Sequence, residues 1–499
     1  MSRHAPILMI VLPLLSSLVA LLAGLRRKSL GYPLALAGLA ASTLAAFSVL
    51  LTVMETGRVS YRLGGWAPPW GIEYAFDHLN AFIAVIVSFI SLLVAVYARR
   101  SIEREAPDKV VYFYPIYLLL VTGLMGIVAT GDIFNIYVFL EISSLAAYAL
   151  IAIGGDKRAP LSSFNYVIMG TIGACFYLLG VGYLYIMTGS LNMADLARLL
   201  PPLYHSRVVL VAFAFFVVGV GVKIALFPLH AWLPNAYTHA PSAVSAAVAS
   251  TMTKVGIYVM IRIMFTVFNP SFSTDIVPMA AILGWVAAAA ALFGCIMALS
   301  QTDFKRMLTY VLIAEVGYIV LGISAANRAG MTGALLHVLN DAFMMACLFL
   351  AAGAIVYRQK SAAIADMGGL YKTMPLTMAS LAIAGISVVG VPPTAGFFSK
   401  WYLVLGALRA GQWQFAAVLL ACSLMTAIIF FRILEQVYFK PDPAPAPSGV
   451  PERRRPGIDD IPASMLAPIL VTAAGILTFG LLSGTIVSRV IQYAVPAGW

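Results

Sequence analysis

Three lysines lie in or beside long apolar stretches, where a charged side chain is costly. Lys223 opens KIALFPLHAWLPNAYTHAPSAVSA, Lys254 lies in the next apolar run, and Lys400 follows VPPTAGFFS. On insertion scales a lysine at the centre of a membrane helix costs roughly 2.5–3.5 kcal/mol, so it persists where it has a partner or lines a hydrated cavity. An amine in such a place can take up and release a proton, and the pattern therefore indicates proton transfer within a membrane.

Acidic and imidazole side chains occur in the same kind of surroundings. Glu141 follows Asp132 by about nine residues, which at the helical rise puts it near mid-depth if Asp132 marks the membrane edge. His337 and Asp341 are four residues apart, so they share one helix face, and histidine titrates near neutral pH. The residues predicted to translocate protons are Glu141, Lys223, Lys254, His337, Asp341 and Lys400. The alternative for each is a structural ion pair or a satisfied hydrogen bond.

Three further titratable residues are weaker candidates. Glu315 lies in LTYVLIAEVGYIVLG with no obvious local partner, and proton relay and structural pairing are equally good interpretations. His230 and His239 lie near the Phe227-Pro228 pair. We predict auxiliary roles for Glu315 and His230 and rank His239 last.

The composition indicates what kind of secondary structure carries these residues. The chain has 499 residues, of which 62% are hydrophobic and 10% charged, whereas soluble domains carry about 25% charged residues. Apolar stretches of the length that spans a bilayer recur along the chain, and the alternating segments of a membrane barrel do not. The sequence therefore predicts an all-α polytopic membrane protein, in which the net charge of +11 reflects basic loops at the cytoplasmic face rather than nucleic-acid binding. The four cysteines show no paired spacing and are predicted to be small core residues.

About fourteen transmembrane spans are predicted. They are residues 6–25, 30–54, 77–99, 111–130, 132–153, 163–187, 207–238, 241–268, 276–299, 303–325, 331–357, 374–410, 413–439 and 461–492. The seventh and twelfth spans are predicted to be broken helices, with Pro228 and Pro234 in one and Pro392 and Pro393 in the other. Corresponding broken segments in two halves of a chain point to a transport site. Spans 4–8 and 9–13 contain five helices each, and an odd-numbered unit inserts upside down relative to its copy, so two inverted repeats are predicted.

This division predicts four regions and an orientation. They are an N-terminal three-helix region (1–110), a first repeat (111–268), a second, inverted repeat (276–440), and a cytoplasmic loop with a C-terminal helix (441–499). Lysine and arginine are concentrated in the loops that follow odd-numbered spans. The positive-inside rule therefore predicts a multi-pass protein of the cytoplasmic membrane with both termini on the outer side.

Five segments of the sequence resemble the antiporter-like family of membrane subunits. They are GDIFNIYVFLE, KIALFPLHAWLPNAYTHAPSAVSA, TKVGIY, DFKRMLTYVLIAEVGY and PPTAGFFSK. That family includes large membrane subunits of respiratory complex I, of membrane-bound hydrogenases and of Mrp-type Na+/H+ antiporters. The resemblance covers residues 70–440 and implies fourteen helices, inverted five-helix repeats and broken seventh and twelfth helices.

The resemblance also implies roles for particular residues. Glu141 resembles the family's fifth-helix glutamate and Lys223 its paired lysine, while Lys254 resembles the central lysine of the eighth helix. His337 resembles the eleventh-helix histidine and Lys400 the twelfth-helix residue near the exit. Three residues depart from the family pattern. Asp341 and Met345 stand where a second histidine and a lysine are frequent, and Glu315 stands where a small polar residue is usual. The central relay is therefore expected to be rewired, with Asp341 or Glu315 replacing the lost groups.

The expected function follows from the resemblance and from what the chain lacks. No phosphate loop, metal cluster, nucleophile triad or flavin motif occurs in the sequence, so we expect no cofactor in this chain and no substrate chemistry of its own. The first expectation is a proton-translocating subunit similar to the D-type subunit of Mrp Na+/H+ antiporters, with other membrane subunits, protons, Na+ and the lipid bilayer as partners and no nucleic acid. The alternatives are a pumping subunit of a redox-driven complex, similar to the N-type subunit of NADH-quinone oxidoreductase or to a hydrogenase subunit, and a stand-alone secondary transporter.

Overall fold

The computed structural model describes residues 4–441 and 460–496, and in these ranges the chain is a bundle of α-helices with one small β-hairpin. The first ten helices are α1 (Ala5–Arg26), α2 (Gly31–Thr56), α3 (His78–Glu105), α4 (Val110–Ala129), α5 (Ile133–Ala152), α6 (Ala159–Thr188), α7 (Met193–Leu199), α8 (Arg207–Lys223), α9 (Leu233–His239) and α10 (Ser242–Arg262). The other ten are α11 (Met279–Leu299), α12 (Phe304–Ser324), α13 (Arg328–Gln359), α14 (Leu370–Thr373), α15 (Pro375–Val389), α16 (Ala395–Arg409), α17 (Trp413–Phe439), α18 (Ala463–Leu481), α19 (Ser483–Ile486) and α20 (Gln492–Ala494).

Shorter elements join these helices. The hairpin pairs β1 (Val59–Arg62) with β2 (Glu73–Phe76) in antiparallel register, with Val59 opposite Phe76. Single 3-10 turns occupy Lys28–Leu30, Leu63–Gly65, Pro107–Lys109, Pro201–Leu203 and Ile364–Met367, and π-helical turns occupy Ile263–Val267, Phe272–Ile276 and Val487–Ile491.

Twelve helices of the described ranges are long and apolar enough to cross a membrane, which confirms a polytopic helical membrane protein. The seventh and twelfth predicted spans are each divided in two, as expected for broken helices. α8 ends at Lys223 and α9 begins at Leu233, while α15 ends at Val389 and α16 begins at Ala395. The last predicted span, 461–492, is likewise not one helix, because α18 ends at Leu481 and short turns follow it. The total of fourteen spans, the inverted repeats and the four-region division stay predictions.

Three helices form the centre of the bundle. The membrane-crossing segments of α10, α12 and α13 are fully buried by their neighbours, whereas only a third of those of α1 and α17 is buried. The charged residues Lys254, Glu315 and His337 belong to these central helices. The side chains that would be most costly to expose to lipid are therefore surrounded by other helices.

Most of the cytoplasmic loop that begins the predicted region 441–499 lies outside the described residues. This includes Arg453, Arg454 and Arg455, which contributed to the predicted orientation. On the nearer side of the gap, α17 ends at Phe439, and on the far side Asp460 accepts hydrogen bonds from the Leu376 and Thr377 backbone N–H groups at the start of α15 (3.1 and 3.3 Å). This contact ties the beginning of the last membrane helix to the helix that precedes the second break.

Candidate functional site

The first buried acid–base contact joins α5 to the end of α8. Asp132 caps α5 by accepting a hydrogen bond from the Asn135 N–H (2.7 Å), and the helix carries Glu141 to a point 3.7 Å from Lys223 (Oε1 to Nζ). Lys223 also donates to the Ser144 hydroxyl at 2.8 Å. The Glu141 side chain is 27% exposed and that of Lys223 6%. The lysine is thus shared between a serine in close contact and a carboxylate at a longer distance than a charge-assisted hydrogen bond.

The first helix break lies directly after Lys223. Pro228 belongs to the turns between α8 and α9, and Ala225 there has a φ of 54°, a left-handed conformation that costs a non-glycine residue roughly 1–2 kcal/mol. Trp232 donates its indole N–H to the Val222 carbonyl (3.1 Å), which also accepts from the Ala225 N–H (3.1 Å), so this side chain ties the turns of the break to the end of α8. The assignment of Pro234 to the break is wrong. It lies in the first turn of α9, where the missing N–H removes no helical hydrogen bond.

The second contact is a fully buried ion pair at the centre of the bundle. Lys254 Nζ of α10 lies 2.5 Å from Asp341 Oδ2 of α13, and neither side chain has any exposed surface. Lys254 also donates to the Ala249 carbonyl at 2.8 Å. Although His337 and Asp341 share a helix, Asp341 pairs with Lys254 and His337 contacts a different acid.

That acid is Glu315. His337 Nε2 lies 2.7 Å from Glu315 Oε2, again with no exposed surface on either side chain. On the other side of the ring, Nδ1 lies 2.8 Å from the Ser399 hydroxyl, which also accepts from the Asn340 amide at 3.1 Å. Sequence reasoning found no partner for Glu315 because the partner is 22 residues away, on the next helix.

Lys400 lies on α16, just after the second break. Pro392 and Pro393 fall between α15 and α16, as predicted. The Lys400 ammonium donates to the Val388 carbonyl at 2.6 Å and to the Ser423 hydroxyl at 3.3 Å. A charged side chain therefore lies at each break, with Lys223 before the first and Lys400 after the second.

The structure does not bring the other two candidate histidines, His230 and His239, into contact with these residues. His230 packs between the rings of Phe227 and Phe293 (centroids 5.4 and 4.8 Å), and its Nδ1 has no hydrogen-bond partner among the described residues. His239 contacts Asp156 at 2.8 Å in the loop after α5. Partial burial raises the pKa of Asp156, but hydrogen bonds from the Arg158 N–H and from His239 outweigh it and lower the pKa overall.

Sequence reasoning missed several polar neighbours of the predicted residues. Ser144 and Ser399 were overlooked, although one lies a helical turn after Glu141 and the other directly before Lys400. Two cysteines predicted to be isolated are also neighbours. The Cys295 thiol lies 3.8 Å from the Cys422 carbonyl and 3.7 Å from the Tyr318 hydroxyl. No spacing along the chain could indicate these contacts, because they join different helices.

The seven residues Glu141, Lys223, Lys254, Asp341, Glu315, His337 and Lys400 are called the charged row below. From Lys223 onward, the helices that carry successive members pack against one another, α8 on α10, α10 on α13, and α13 on both α12 and α16. Each member can hold or release a proton, and in the described ranges no group of three or more His, Cys, Asp or Glu side chains could hold a metal ion. The arrangement is chemically suited to passing protons between neighbouring bases.

Comparisons with known proteins show what the chain is similar to. The family model described as "NADH:quinone oxidoreductase/Mrp antiporter, TM" matches residues 130–426, which include the whole charged row. A protein of Desulforudis audaxviator, named as the N-type subunit of NADH-quinone oxidoreductase, is 48% identical over 99% of both chains. A protein of Alkalihalophilus pseudofirmus, named as the D-type subunit of a Na(+)/H(+) antiporter, is 35% identical over 78% of both. Among solved structures, a chain of the membrane-bound sulfane sulfur reductase, an archaeal respiratory membrane complex, has a TM-score of 0.90 and 32% identity and covers 99% of this chain and 97% of that one.

Proposed function

Because the chain belongs to the NADH:quinone oxidoreductase/Mrp antiporter transmembrane family, we propose that it is the proton-translocating, antiporter-like membrane subunit of a multisubunit complex. The observation that carries the proposal is the charged row, with three acid–base contacts that join different helices inside the bundle. A buried ion pair is a poor way to stabilise a fold, since apolar residues of similar volume do as well or better. Two fully buried contacts of this kind, together with the partly exposed pair of Glu141 and Lys223, therefore favour a role in function.

In this proposal the proton enters at Glu141 and Lys223. With the carboxylate close by, the charged lysine is favoured and the proton is held. When Glu141 moves away, desolvation favours the neutral lysine and the proton leaves. The 3.7 Å separation and the alternative contact with Ser144 fit a pair that exchanges partners. The strained turn at Ala225 lies two residues beyond Lys223 and supplies a place for the chain to move.

The central relay uses two of the three residues that depart from the family pattern. Asp341 is the counter-ion of Lys254, and Glu315 with His337 forms a second acid–base pair beside it. From His337 the Ser399 hydroxyl offers a route toward Lys400, because Ser399 is hydrogen-bonded to the imidazole and adjoins the lysine in the chain. Lys400, at the second break, is the exit group.

Two kinds of complex are candidates for the assembly that drives the proposed transport. The resemblance of GDIFNIYVFLE favours a Na+/H+ antiporter, and a relative named for that activity matches 78% of the chain. The relative named for NADH-quinone oxidoreductase matches 99% of it at higher identity, and this favours a redox-driven complex in which other subunits hold the redox centres. In either case we place the chain in the cytoplasmic membrane with both termini outside.

Replacement of Lys223 by alanine in the assembled complex tests the proposal. We expect proton movement across vesicle membranes to be lost while the complex assembles normally, because no other described amine lies within ion-pair distance of Glu141. Lys372→Ala is the matched control, since this lysine is exposed at α14. Normal transport by a normally assembled Lys223→Ala complex would contradict the proposed role.

The same vesicles separate the two driving partners. In an antiporter, an imposed Na+ gradient moves protons in the absence of any reductant. In a redox-driven pump, protons move only when an electron donor and acceptor are added, and iron–sulfur or flavin subunits copurify.

A further inference from the structure

Lys400 differs from the other two lysines of the charged row in having no acidic partner. Lys223 and Lys254 lie 3.7 and 2.5 Å from a carboxylate, whereas within residues 4–441 and 460–496 no carboxylate lies within ion-pair distance of Lys400. Its side chain is nonetheless buried, with 7% of the residue exposed. No carboxylate contacts the Lys400 ammonium, so the groups in direct contact with it are of another kind.

Part of the stabilisation of the Lys400 charge comes from the end of α15. The Lys400 ammonium donates to the carbonyls of Val388 (2.6 Å) and Val389 (3.5 Å), the last two residues of that helix. Carbonyls at a helix C-terminus have no partner within the helix and carry the negative end of its dipole. The lysine thus binds the half-helix on the far side of the break from its own.

The other part comes from an aromatic ring. The Lys400 ammonium lies 4.7 Å from the centroid of the Tyr318 ring, and Tyr318 of α12 is fully buried. A cation over the face of an aromatic ring is attracted by the ring quadrupole, most strongly where water is excluded. The same ring meets the His337 imidazole edge to face at 6.0 Å, so Tyr318 lies between the relay and the exit lysine.

We propose that Tyr318 is a positioning residue that keeps Lys400 in its charged form through the face of its ring, so that movement of the second break, rather than withdrawal of a carboxylate, releases the exit proton. This inference rests on the proposed proton transport. The first and last lysines of the charged row then work differently, since Lys223 responds to a mobile acid and Lys400 to the carbonyl dipoles across a mobile break.

The other titratable groups around Lys400 do not take over this role. Glu315 of α12 interacts electrostatically with Lys400 from beyond contact distance, while its own contact is with His337 of α13. The thiols of Cys295 on α11 and Cys422 on α17 are near enough to interact with the lysine electrostatically. As neutral thiols they offer no charge to balance an ammonium, and the Tyr318 hydroxyl points to Cys295 rather than to Lys400.

Fluorinated phenylalanines at position 318 test the inference, because they weaken the ring quadrupole while keeping the shape of the side chain. Proton transport of the assembled complex is measured in vesicles against pH. The alkaline midpoint is the pH above the optimum at which transport has fallen to half. Tyr318→Phe keeps the ring face and should leave this midpoint unchanged. Successive fluorines should move that midpoint stepwise to lower pH, by about one pH unit in total, because the charged lysine loses stabilisation and holds its proton only at lower pH.

The same series at Tyr117 is the matched control. Tyr117 is a fully buried tyrosine whose hydroxyl donates to the Ser91 carbonyl (2.8 Å) and whose ring stacks on Phe113 rather than on a cation. An unchanged midpoint across the fluorinated series at 318, with transport retained, would overturn the inference. So would loss of transport in Tyr318→Phe, since the hydroxyl would then be the active part. Failure of the proposed function is a distinct result, because Lys223→Ala would then transport normally.

Discussion

At the scale of single residues, the chain contains two kinds of acid–base contact that differ in their surroundings. Lys254 and Asp341 have no exposed surface, whereas Asp156 is 46% exposed in its contact with His239. Removing one member of a buried pair leaves an unpaired charge and costs about 3–5 kcal/mol, while an exposed pair contributes at most about 1 kcal/mol. The burial of an acid–base contact, more than the distance between its atoms, therefore decides how much the contact contributes to stability.

Replacement of Asp341 should abolish transport and lower the stability of the complex. Asp341→Ala leaves Lys254 without a counter-ion, which predicts a loss of about 3–5 kcal/mol. Met345→Ala, one helical turn further along α13, removes a buried apolar side chain and should leave most of the transport intact. Thermal unfolding and proton movement in vesicles measure both effects. Equal, mild effects of the two variants on transport would make α13 a structural element.

Replacement of His239 should have little effect. Because the pKa of Asp156 is lowered, its contact with His239 stabilises the fold above the ordinary carboxyl range, near pH 4, and this contribution is lost as the pH falls through the lowered value. His239→Ala should therefore cost less than about 1 kcal/mol at pH 7, cost nothing once Asp156 is protonated, and leave proton transport unchanged. A transport defect as severe as that of Lys223→Ala would place His239 on the proton path.

The sequence predicts the members of the charged row better than their pairing. A lysine or glutamate in an apolar run is conspicuous because burial is expensive, and Glu141, Lys223, Lys254 and Lys400 were identified in this way. Pairing depends on which helices touch. Glu315 and His337 are 22 residues apart, and no local pattern specifies that their side chains meet.

At the scale of helices, the two breaks are predictable and their surroundings are not. Proline in an apolar run signals an interruption because it lacks an N–H and clashes with the preceding turn. The helix that covers the second break could not be inferred. A Cβ at Gly480 of α18 would collide with the carbonyl oxygen of Pro393, so α18 packs directly on the exposed backbone of the break.

A larger side chain at position 480 should separate α18 from the break. Gly480→Leu is expected to lower the stability of the complex and to reduce proton transport, because backbone groups between α15 and α16 lose their cover. Gly484→Leu is the control, since a Cβ there would meet nothing within 4 Å. Thermal unfolding and vesicle transport distinguish the two variants, and equal behaviour would show that α18 can shift without consequence.

At the scale of the whole molecule, one member of the charged row lies at the edge of the bundle. Glu141 lies on the same face of α5 as Phe134, Val138 and Leu145, which are 42%, 37% and 61% exposed. A carboxylate at this depth is unsuited to contact with lipid. The protein therefore needs a neighbour over this face, in keeping with membership of a multisubunit complex.

A lipid-soluble carbodiimide should detect that neighbour. In the isolated chain the reagent is expected to modify Glu141, whose side chain is partly exposed, and to spare Glu315 and Asp341, whose side chains are fully buried. In the assembled complex Glu141 should be protected. Mass spectrometry of the labelled chain locates the adduct, and equal labelling of Glu141 in both samples would show that no partner covers α5.

The packing of α18 on the second break has a consequence for biosynthesis. The ribosome completes Pro393 well before it reaches Gly480, so each newly made chain passes through a stage in which both breaks exist and the second lacks its cover. The exit end of the proposed proton path is then incomplete until the last long helix enters the membrane.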